Sequence, residues 1–253
     1  MFQRSILKAL AVLVLIWACP GIAAELTVLT AGAFKPVVSA LVPTFEAQTG
    51  HTVRVENDTA GALQRRIAQG ERFDLVVLPP AALESLARAG KLAGANPTPL
   101  ARVGIGVAVK QGAKLPDVGT EAAFREALLA ARAVAFIDPA AGGSSGIYLA
   151  QLFERMGIAP QIAAKAVRVP GGLVAQRVVS GEADLALHQI SEILAVPGAT
   201  LVGPLPTSLQ NYTVYAGGVS ASAPDAAAAQ ALLAWLAGER SRAVLAQRGM
   251  EAP

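Results

Sequence analysis

Residues 25–50, ELTVLTAGAFKPVVSALVPTFEAQTG, contain the pattern of a strand, a turn of small residues and a helix in immediate succession. The first residues are β-branched or apolar without regular polar alternation, which is typical of a strand buried on both faces. Val38, Leu41 and Phe45 then recur at helical spacing, and Gly50 is a stop signal. The stretch therefore predicts one β–α unit with a turn of small residues between its strand and its helix.

The segments that follow repeat this unit along most of the chain. HTVRVEN and FDLVVLPP are typical of strands, GALQRRIAQGE and AALESLARAGKL of helices, and AVAFIDP, AKAVRVP and the start of ADLALHQISEIL of further strands. This alternation predicts an α/β protein with mainly parallel sheets in two series. We expect a first lobe over residues 25–106, a second lobe over residues 107–203, and a return to the first lobe over residues 204–253.

The start of the chain resembles a cleavable signal peptide, residues 1–24. Arg4 and Lys8 form a basic region, residues 9–19 an apolar region, and PGIAA ends in small residues. Cleavage fits after Ala23 or Ala24. A single membrane anchor is less consistent with so short an apolar run, and a lipid on Cys19, the only cysteine, is opposed by the bulky Trp17. We therefore expect a periplasmic protein without disulfides.

Composition excludes several function classes. The chain has 21 Lys and Arg against 18 Asp and Glu, so the predicted mature chain, without Arg4 and Lys8, keeps 19 against 18 and a net charge of +1. A nearly neutral surface is not that of a nucleic-acid-binding protein. His51 and His188 are far apart in the sequence, and no P-loop or dinucleotide fingerprint is present. We expect a monomer with no cofactor, metal ion or nucleic-acid partner.

The run GGSSG, residues 142–146, places small residues between a predicted strand and a predicted helix. Helix N-termini beyond the carboxyl ends of parallel strands offer free N–H groups and the positive end of the helix dipole. Ser144 and Ser145 add hydroxyl donors, and glycines allow a ligand close to the backbone. The stretch therefore predicts an anion-binding loop, with an ordinary capped helix as the alternative.

Four other strand ends carry similar turns, and together the five predict a ligand cleft between the lobes. These turns lie in TAGAFKP, NDTAGALQRRI, VPGGLVAQRV and LHQISEI. The candidate ligand-binding residues are Gly32, Ala33, Phe34, Thr59, Ala60, Gly61, Ser144, Ser145, Gly171, Gly172, His188 and Gln189.

Few residues in these turns are suited to chemistry beyond binding. His188 is a candidate base at a predicted strand end, although a ligand contact or a structural role is the commoner use of such a residue. Glu192 is the next candidate base. The alternative is that it is a carboxylate in the first turn of a helix, where the helix dipole favours a negative charge. Lys35, Arg65, Arg66 and Arg168 either meet an anionic ligand or are solvated surface charges.

The chain resembles the molybdate-binding family of ABC-transporter periplasmic solute-binding proteins. The likeness covers nearly the whole predicted mature chain and rests on LTVLTAGAF, TAGALQRRIAQGERFDLVVLP, GGSSGIYLAQLFERMGI, VVSGEADLAL and LQNYTVYAGGVS. It implies the class II periplasmic-binding-protein fold, in which two α/β lobes joined by a hinge enclose a small anion. It also implies a membrane permease as partner.

Several oxyanion-binding positions of that family are changed in this sequence. The resemblance places the family's first-turn serine at Ala33, part of its serine-rich second turn at Gly61, and its late tyrosine at Gln189, so three hydroxyl groups are missing. Its fourth-turn backbone donor falls at Gly171, and the small residue before GIY falls at Ser145. Because such groups dominate discrimination between ligands, a carboxylate competes with a molybdate-type oxyanion as the expected ligand.

A second resemblance is to periplasmic aconitate isomerases, which are built on the same scaffold. It rests on AGAF at residues 31–34 and on QISEI at residues 189–193. Two functions therefore remain open from the sequence. The first is a periplasmic solute-binding protein for a small anion, and the alternative is an isomerase of trans- and cis-aconitate in which His188 is the candidate catalytic residue.

Overall fold

The computed structural model describes residues 23–253. The predicted signal peptide, except for its last two residues, and Cys19 lie outside the described residues. The strands are β1 (Glu25–Ala31), β2 (Thr52–Asp58), β3 (Leu75–Leu78), β4 (Thr98–Lys110), β5 (Val134–Ile137), β6 (Ala166–Val169), β7 (Leu185–Gln189), β8 (Ala199–Pro204) and β9 (Tyr212–Val219). The helices are α1 (Lys35–Thr49), α2 (Ala60–Ala68), α3 (Pro80–Arg88), α4 (Glu121–Ala130), α5 (Ser144–Arg155), α6 (Ala159–Ala163), α7 (Gln176–Val179), α8 (Ile190–Ile193), α9 (Ala226–Ala237) and α10 (Arg240–Gln247).

The strands form two sheets that share β4. The first sheet has the order β2-β1-β3-β9-β4, and the second continues from β4 through β7 and β5 to β6, with β8 also paired to β4. β1 is parallel to both β2 and β3, and β5 is parallel to both β6 and β7. The carboxyl ends of β1 and β2 in one lobe, and of β5 and β7 in the other, carry the small-residue turns predicted from the sequence.

Each lobe has its own apolar core. The first core draws on residues from Leu26 to Val103 and, after a long gap, from Tyr215 to Met250. The second lobe has apolar clusters made of residues between Ile105 and Leu209. The lobe boundaries themselves stay predictions, since β4 contributes to both cores.

The two segments that cross between the lobes are joined by a side chain as well as by the pairing of β4 with β9. The Gln210 side chain accepts a hydrogen bond from the Ile105 N–H at 2.8 Å and donates one to the Ile105 carbonyl at 2.9 Å. Gly104 makes room for this amide, because a Cβ there would lie 3.0 Å from the Gln210 side chain. The crossing is thereby held in one register between the two cores.

Two elements differ from the sequence expectation. The predicted helix GLVAQRVVSG is reduced to α7, because residues 170–175 form an irregular loop in which Gly172 has φ of +80°. The short helix α6 was not predicted, since APQIA carries only one large apolar residue. Among the described helices, none is long and apolar enough to cross a membrane.

Candidate ligand-binding and catalytic site

The turns at the strand ends enclose a cavity of about 40 Å³ between the lobes, called here the inner cavity. Nine of the twelve predicted ligand-binding residues line it: Gly32, Ala33, Thr59, Ala60, Ser144, Ser145, Gly172, His188 and Gln189. Glu192, which the sequence offers as a candidate for chemistry, also lines it, and the lining residues that the prediction missed are Ala31, Asn57, Asp58, Ile137, Gly143 and Tyr215.

Three predicted ligand-binding residues lie outside the lining. Phe34 is fully buried in the core of the first lobe, because the 3₁₀ turn of Gly32–Phe34 directs its ring inward. Gly61 faces the other lobe instead of the cavity, and its N–H donates to the Gly142 carbonyl at 3.1 Å. Gly171 lies beside Asp58, whose Oδ1 would be 3.6 Å from a Cβ at this position.

The lobes touch around the inner cavity. The Thr59 hydroxyl donates to the Ala141 carbonyl at 2.6 Å, next to the bond between Gly61 and Gly142. A Cβ at Gly61 would lie 2.9 Å from the Gly142 Cα, so this contact depends on two glycines facing each other. These contacts shut the cavity on one side, and the structure is therefore a closed conformation.

The start of α5 supplies the donors that the sequence predicts. Its N-cap, Gly143, makes no side-chain capping bond, so the N–H groups of Ser144 and Ser145 have no intrahelical partner. The glycines of this loop serve packing more than ligand access. A Cβ at Gly146 would lie 2.3 Å from the Ile137 carbonyl oxygen, and one at Gly143 would lie 2.7 Å from the Ile137 side chain. Close packing on the end of β5 thus fixes where the serines stand.

A buried histidine–glutamate pair also lines the cavity. His188 is the next-to-last residue of β7 and Glu192 lies in the short helix α8. Nε2 of the histidine is 3.2 Å from Oε2 of the glutamate. Both side chains are almost fully buried. Burial lowers the pKa of His188 to about 3 and raises the pKa of Glu192 to about 8. Burial thus favours the uncharged form of both groups.

Two buried polar atoms in and next to the pair have no hydrogen-bond partner in the described part of the chain. The Nδ1 atom of His188 and the Oε1 atom of Gln189 are buried without a hydrogen-bond partner within residues 23–253. Buried polar groups of this kind are costly unless a ligand or water meets them. The other carboxyl oxygen of Glu192 lies so close to Gly32 that a Cβ there would be 2.4 Å away. The site thus requires a glycine where Glu192 approaches the backbone of the first lobe.

Tyr215 brings a phenol from the first lobe to the same cavity. It lies on β9 and is 3% exposed. Burial raises the pKa of Tyr215 far above its usual value, the nearby Glu192 raises it further, and hydrogen bonding from Ser144 opposes the shift. Tyr215 therefore stays protonated and can donate a hydrogen bond to an anionic ligand.

The predicted cationic contacts are mostly elsewhere. Arg66 is paired with Glu56, Glu71 and, at 3.8 Å, Asp58, while Arg65 and Arg168 are exposed. The inner cavity itself is lined by two acidic residues, Asp58 and Glu192, and by no Lys or Arg within the described part of the chain. Its power to hold an anion therefore comes from N–H and O–H donors. The described residues contain no group of three or more side chains placed to hold a metal ion.

The chain belongs to the bacterial extracellular solute-binding protein family, whose model matches residues 26–251. Its fold is that of the class II periplasmic binding proteins, as the sequence predicts. A periplasmic molybdate-binding protein of Azotobacter vinelandii superposes with a TM-score of 0.78 at 21% identity, over 90% of this chain and 100% of the other. A sulfate-binding protein of Mycobacterium tuberculosis superposes with a TM-score of 0.72 at 18% identity, over 90% of this chain and 87% of the other.

A relative with a different description is more similar in sequence. An aconitate isomerase of a Pseudomonas species is 34% identical over 261 residues, covering 99% of this chain and 98% of its own length. Both resemblances noted in the sequence are therefore present among known proteins. The fold alone does not choose between them, because one scaffold can carry both a receptor and an enzyme.

Proposed function

We propose that this chain is a periplasmic isomerase that interconverts trans- and cis-aconitate by moving a proton between two carbon atoms. The observation that carries the proposal is the buried pair of His188 and Glu192 in the wall of the inner cavity. A receptor for a simple oxyanion has no use for a buried carboxyl group that repels its ligand whenever it ionises. An enzyme that moves protons needs such a group, and the 34% identical isomerase supports this choice.

The chemistry requires one base and no cofactor. Aconitate has a methylene carbon and a vinylic carbon on either side of the carbon that bears the central carboxylate. A base removes a methylene proton, the electron pair shifts the double bond, and a proton adds to the former vinylic carbon. The product is again aconitate, and its double-bond geometry is set by the conformation in which the site held the former single bond.

Glu192 is the group we assign to the proton transfer. Its carboxylate form is the base, and a pKa of about 8 makes it a stronger base than an ordinary carboxylate while leaving part of it ionised near neutral pH. Nε2 of His188 lies 3.2 Å from Oε2, so we assign the histidine a role in positioning the carboxyl group. This assignment moves the candidate base from His188 to its neighbour.

The hydrogen-bond donors of the inner cavity stabilise the charge that develops on the substrate. Proton removal spreads negative charge from the carbon onto the adjoining carboxylates. The uncapped N–H groups of Ser144 and Ser145 and the neutral hydroxyl of Tyr215 line the same cavity and can bond to a carboxylate there. Fixed donors of this kind lower the barrier because they need no rearrangement during the reaction.

The test is turnover by the purified mature protein. Incubation with trans-aconitate should give cis-aconitate, and proton NMR measures the conversion over time. A reaction started from cis-aconitate should reach the same equilibrium mixture. A sample without protein controls for spontaneous conversion.

Export is tested separately by the mass of the protein from a periplasmic extract, which should match a chain that begins near Glu25.

A second candidate is a receptor for a small oxyanion that delivers it to an ABC-transporter permease. The specific observation in its favour is the size of the inner cavity, about 40 Å³. This is well below the roughly 150 Å³ of a cavity known to hold benzene, and a tricarboxylate is larger than benzene. Tight binding of molybdate or sulfate in calorimetry, together with no conversion of aconitate, would favour the receptor.

A further inference from the structure

A larger pocket of about 540 Å³ adjoins the inner cavity, and we call it the outer pocket. The two share Gly32, Asn57, Gly172 and Glu192 in their linings, so Glu192 stands between them. The outer pocket differs in charge, since it is lined by Lys35 and Arg248. A ligand that is too large for the inner cavity can extend into the outer pocket.

Arg248 is held at the rim by its neighbours in the chain. It follows the last turn of α10, and Gly249, at φ +65°, packs so closely on α8 that a Cβ would lie 2.5 Å from Ile190. Beyond it, Glu251 exchanges two backbone hydrogen bonds with Arg102, each of 2.9 Å. The backbone of Arg248 is therefore fixed beside the helix that carries Glu192.

The polar groups of Arg248 are left partly unused by the protein. Its Nε atom is buried and has no hydrogen-bond partner, and its guanidinium forms no ion pair, within residues 23–253. A buried donor on a charged group is costly to leave unmet. An anionic oxygen in the outer pocket would meet it, and a guanidinium favours a carboxylate because it offers two parallel donors.

Lys35 adds a second positive charge to the outer pocket, and this charge lies at an unfavourable position in its helix. It is the first residue of α1, where the helix dipole disfavours a cation, and it forms no ion pair within the described chain. It also follows directly after the turn of Gly32–Phe34, which carries Gly32 to the wall shared by both cavities. An anion in the outer pocket would compensate for the unfavourable interaction between the Lys35 charge and the helix dipole.

We propose that the outer pocket is a second carboxylate subsite formed by Arg248 and Lys35. A polycarboxylate then binds across Glu192, with one carboxylate at Ser144 and Ser145 in the inner cavity and another in the outer pocket. The carbon atoms between the two carboxylates lie beside the Glu192 carboxyl group. This rests on the proposed function, names its substrate class, and explains how a small inner cavity can serve a tricarboxylate.

The test uses binding of tricarballylate, the saturated tricarboxylate, which has no double bond to isomerise. In calorimetry, Arg248→Met should weaken its binding about tenfold or more, as expected for a lost charge-assisted bond, and Lys35→Met about two- to fivefold, as for an exposed charge. Arg242→Met, which removes an exposed arginine from the helix that precedes Arg248, is the matched control and should bind like the wild type. Thermal unfolding of each variant checks that the fold is intact.

The outcomes separate this inference from the proposed function. If tricarballylate binds to the wild type and to Arg248→Met with equal affinity, or does not bind to the wild type, the subsite is refuted. If Arg248→Met weakens binding but the wild type never converts trans-aconitate, the subsite stands and the isomerase proposal fails. If the wild type turns over and Arg248→Met keeps the same KM, the isomerase proposal stands and the subsite fails.

Discussion

Two strand-to-helix turns, which follow the neighbouring parallel strands β5 and β7, both line the inner cavity and are suited to different tasks. The turn from β5 to α5 presents Ser144 and Ser145 at the start of a twelve-residue helix and has no titratable side chain in its wall. The turn from β7 to α8 has a helix of four residues and places His188 and Glu192 at the cavity. The first is suited to holding an anion, and the second to exchanging a proton with it. A receptor needs only the first kind of turn.

The largest expected effect comes from removing the proton acceptor. Glu192→Gln keeps the size and hydrogen-bonding capacity of the side chain but cannot take a proton, so turnover of trans-aconitate should fall by about 10³-fold. Tricarballylate should still bind, because the donors of α5 are unchanged. Time courses and calorimetry on the same preparation measure both properties. Turnover close to that of the wild type would remove Glu192 from the reaction.

Changes in the turn from β5 to α5 should weaken ligand binding, in contrast to the change at Glu192. Ser144→Pro removes a backbone N–H at the first position of α5, where proline fits a helix, and the preceding Gly143 already has the extended conformation that proline requires. Tricarballylate binding should weaken by about 10- to 100-fold, the range of a lost charge-assisted hydrogen bond. Ser144→Ala keeps the N–H and should lose less. Equal losses in both variants would assign the effect to the hydroxyl group.

The pH profile should report on the second turn alone. Burial raises the pKa of Glu192 to about 8, and only its ionised form accepts a proton. The kcat/KM for trans-aconitate should therefore rise by roughly tenfold per pH unit below the pKa and level off near pH 8. Binding of tricarballylate to Glu192→Gln should lack this rise. A flat profile for wild-type kcat/KM between pH 6.5 and about 8 would contradict the role of a buried carboxyl base.

The smallest effect concerns stability, and its sign depends on pH. Between the ordinary carboxyl pKa near 4.5 and the raised value near 8, folding requires Glu192 to take up a proton, so the wild type loses stability as pH rises through this window. Glu192→Gln avoids that cost. Its advantage in free energy of unfolding over the wild type should be larger at pH 8 than at pH 5, by at least about 1–2 kcal/mol. Chemical denaturation at both pH values measures the difference, and a less stable variant at pH 8 would contradict the expected cost.

Local sequence patterns predict much of the fold and of the first turn. β1, β5 and β7 are rich in apolar and β-branched residues, and the strand ends and turns after them contain small or polar residues. The positions of Ser144, Ser145 and His188 therefore follow from their neighbours in the chain. Phe34 shows the limit of this approach. It lies in a turn next to Gly32 and Ala33, yet the direction of its ring depends on a single 3₁₀ turn that small-residue content does not specify.

The residues that the sequence did not reveal depend on long-range pairing. Tyr215 reaches the inner cavity because β9 inserts between β3 and β4, and no local pattern encodes that pairing. Arg248 reaches the outer pocket because the chain end pairs with Arg102. Glu192 offered a weak local signal, since it follows His188 by four residues across a strand-to-helix turn, but its burial depends on how α8 packs between the lobes.

The most direct test of proton movement follows an isotope from one carbon to the other. Trans-aconitate with both methylene hydrogens replaced by deuterium is converted by the wild type in ordinary water, and the cis product is examined by NMR. The mechanism predicts deuterium on the vinylic carbon of the product and hydrogen on its methylene carbon, because the double bond has moved. A product that keeps its deuterated methylene group, or no product at all, would contradict the account.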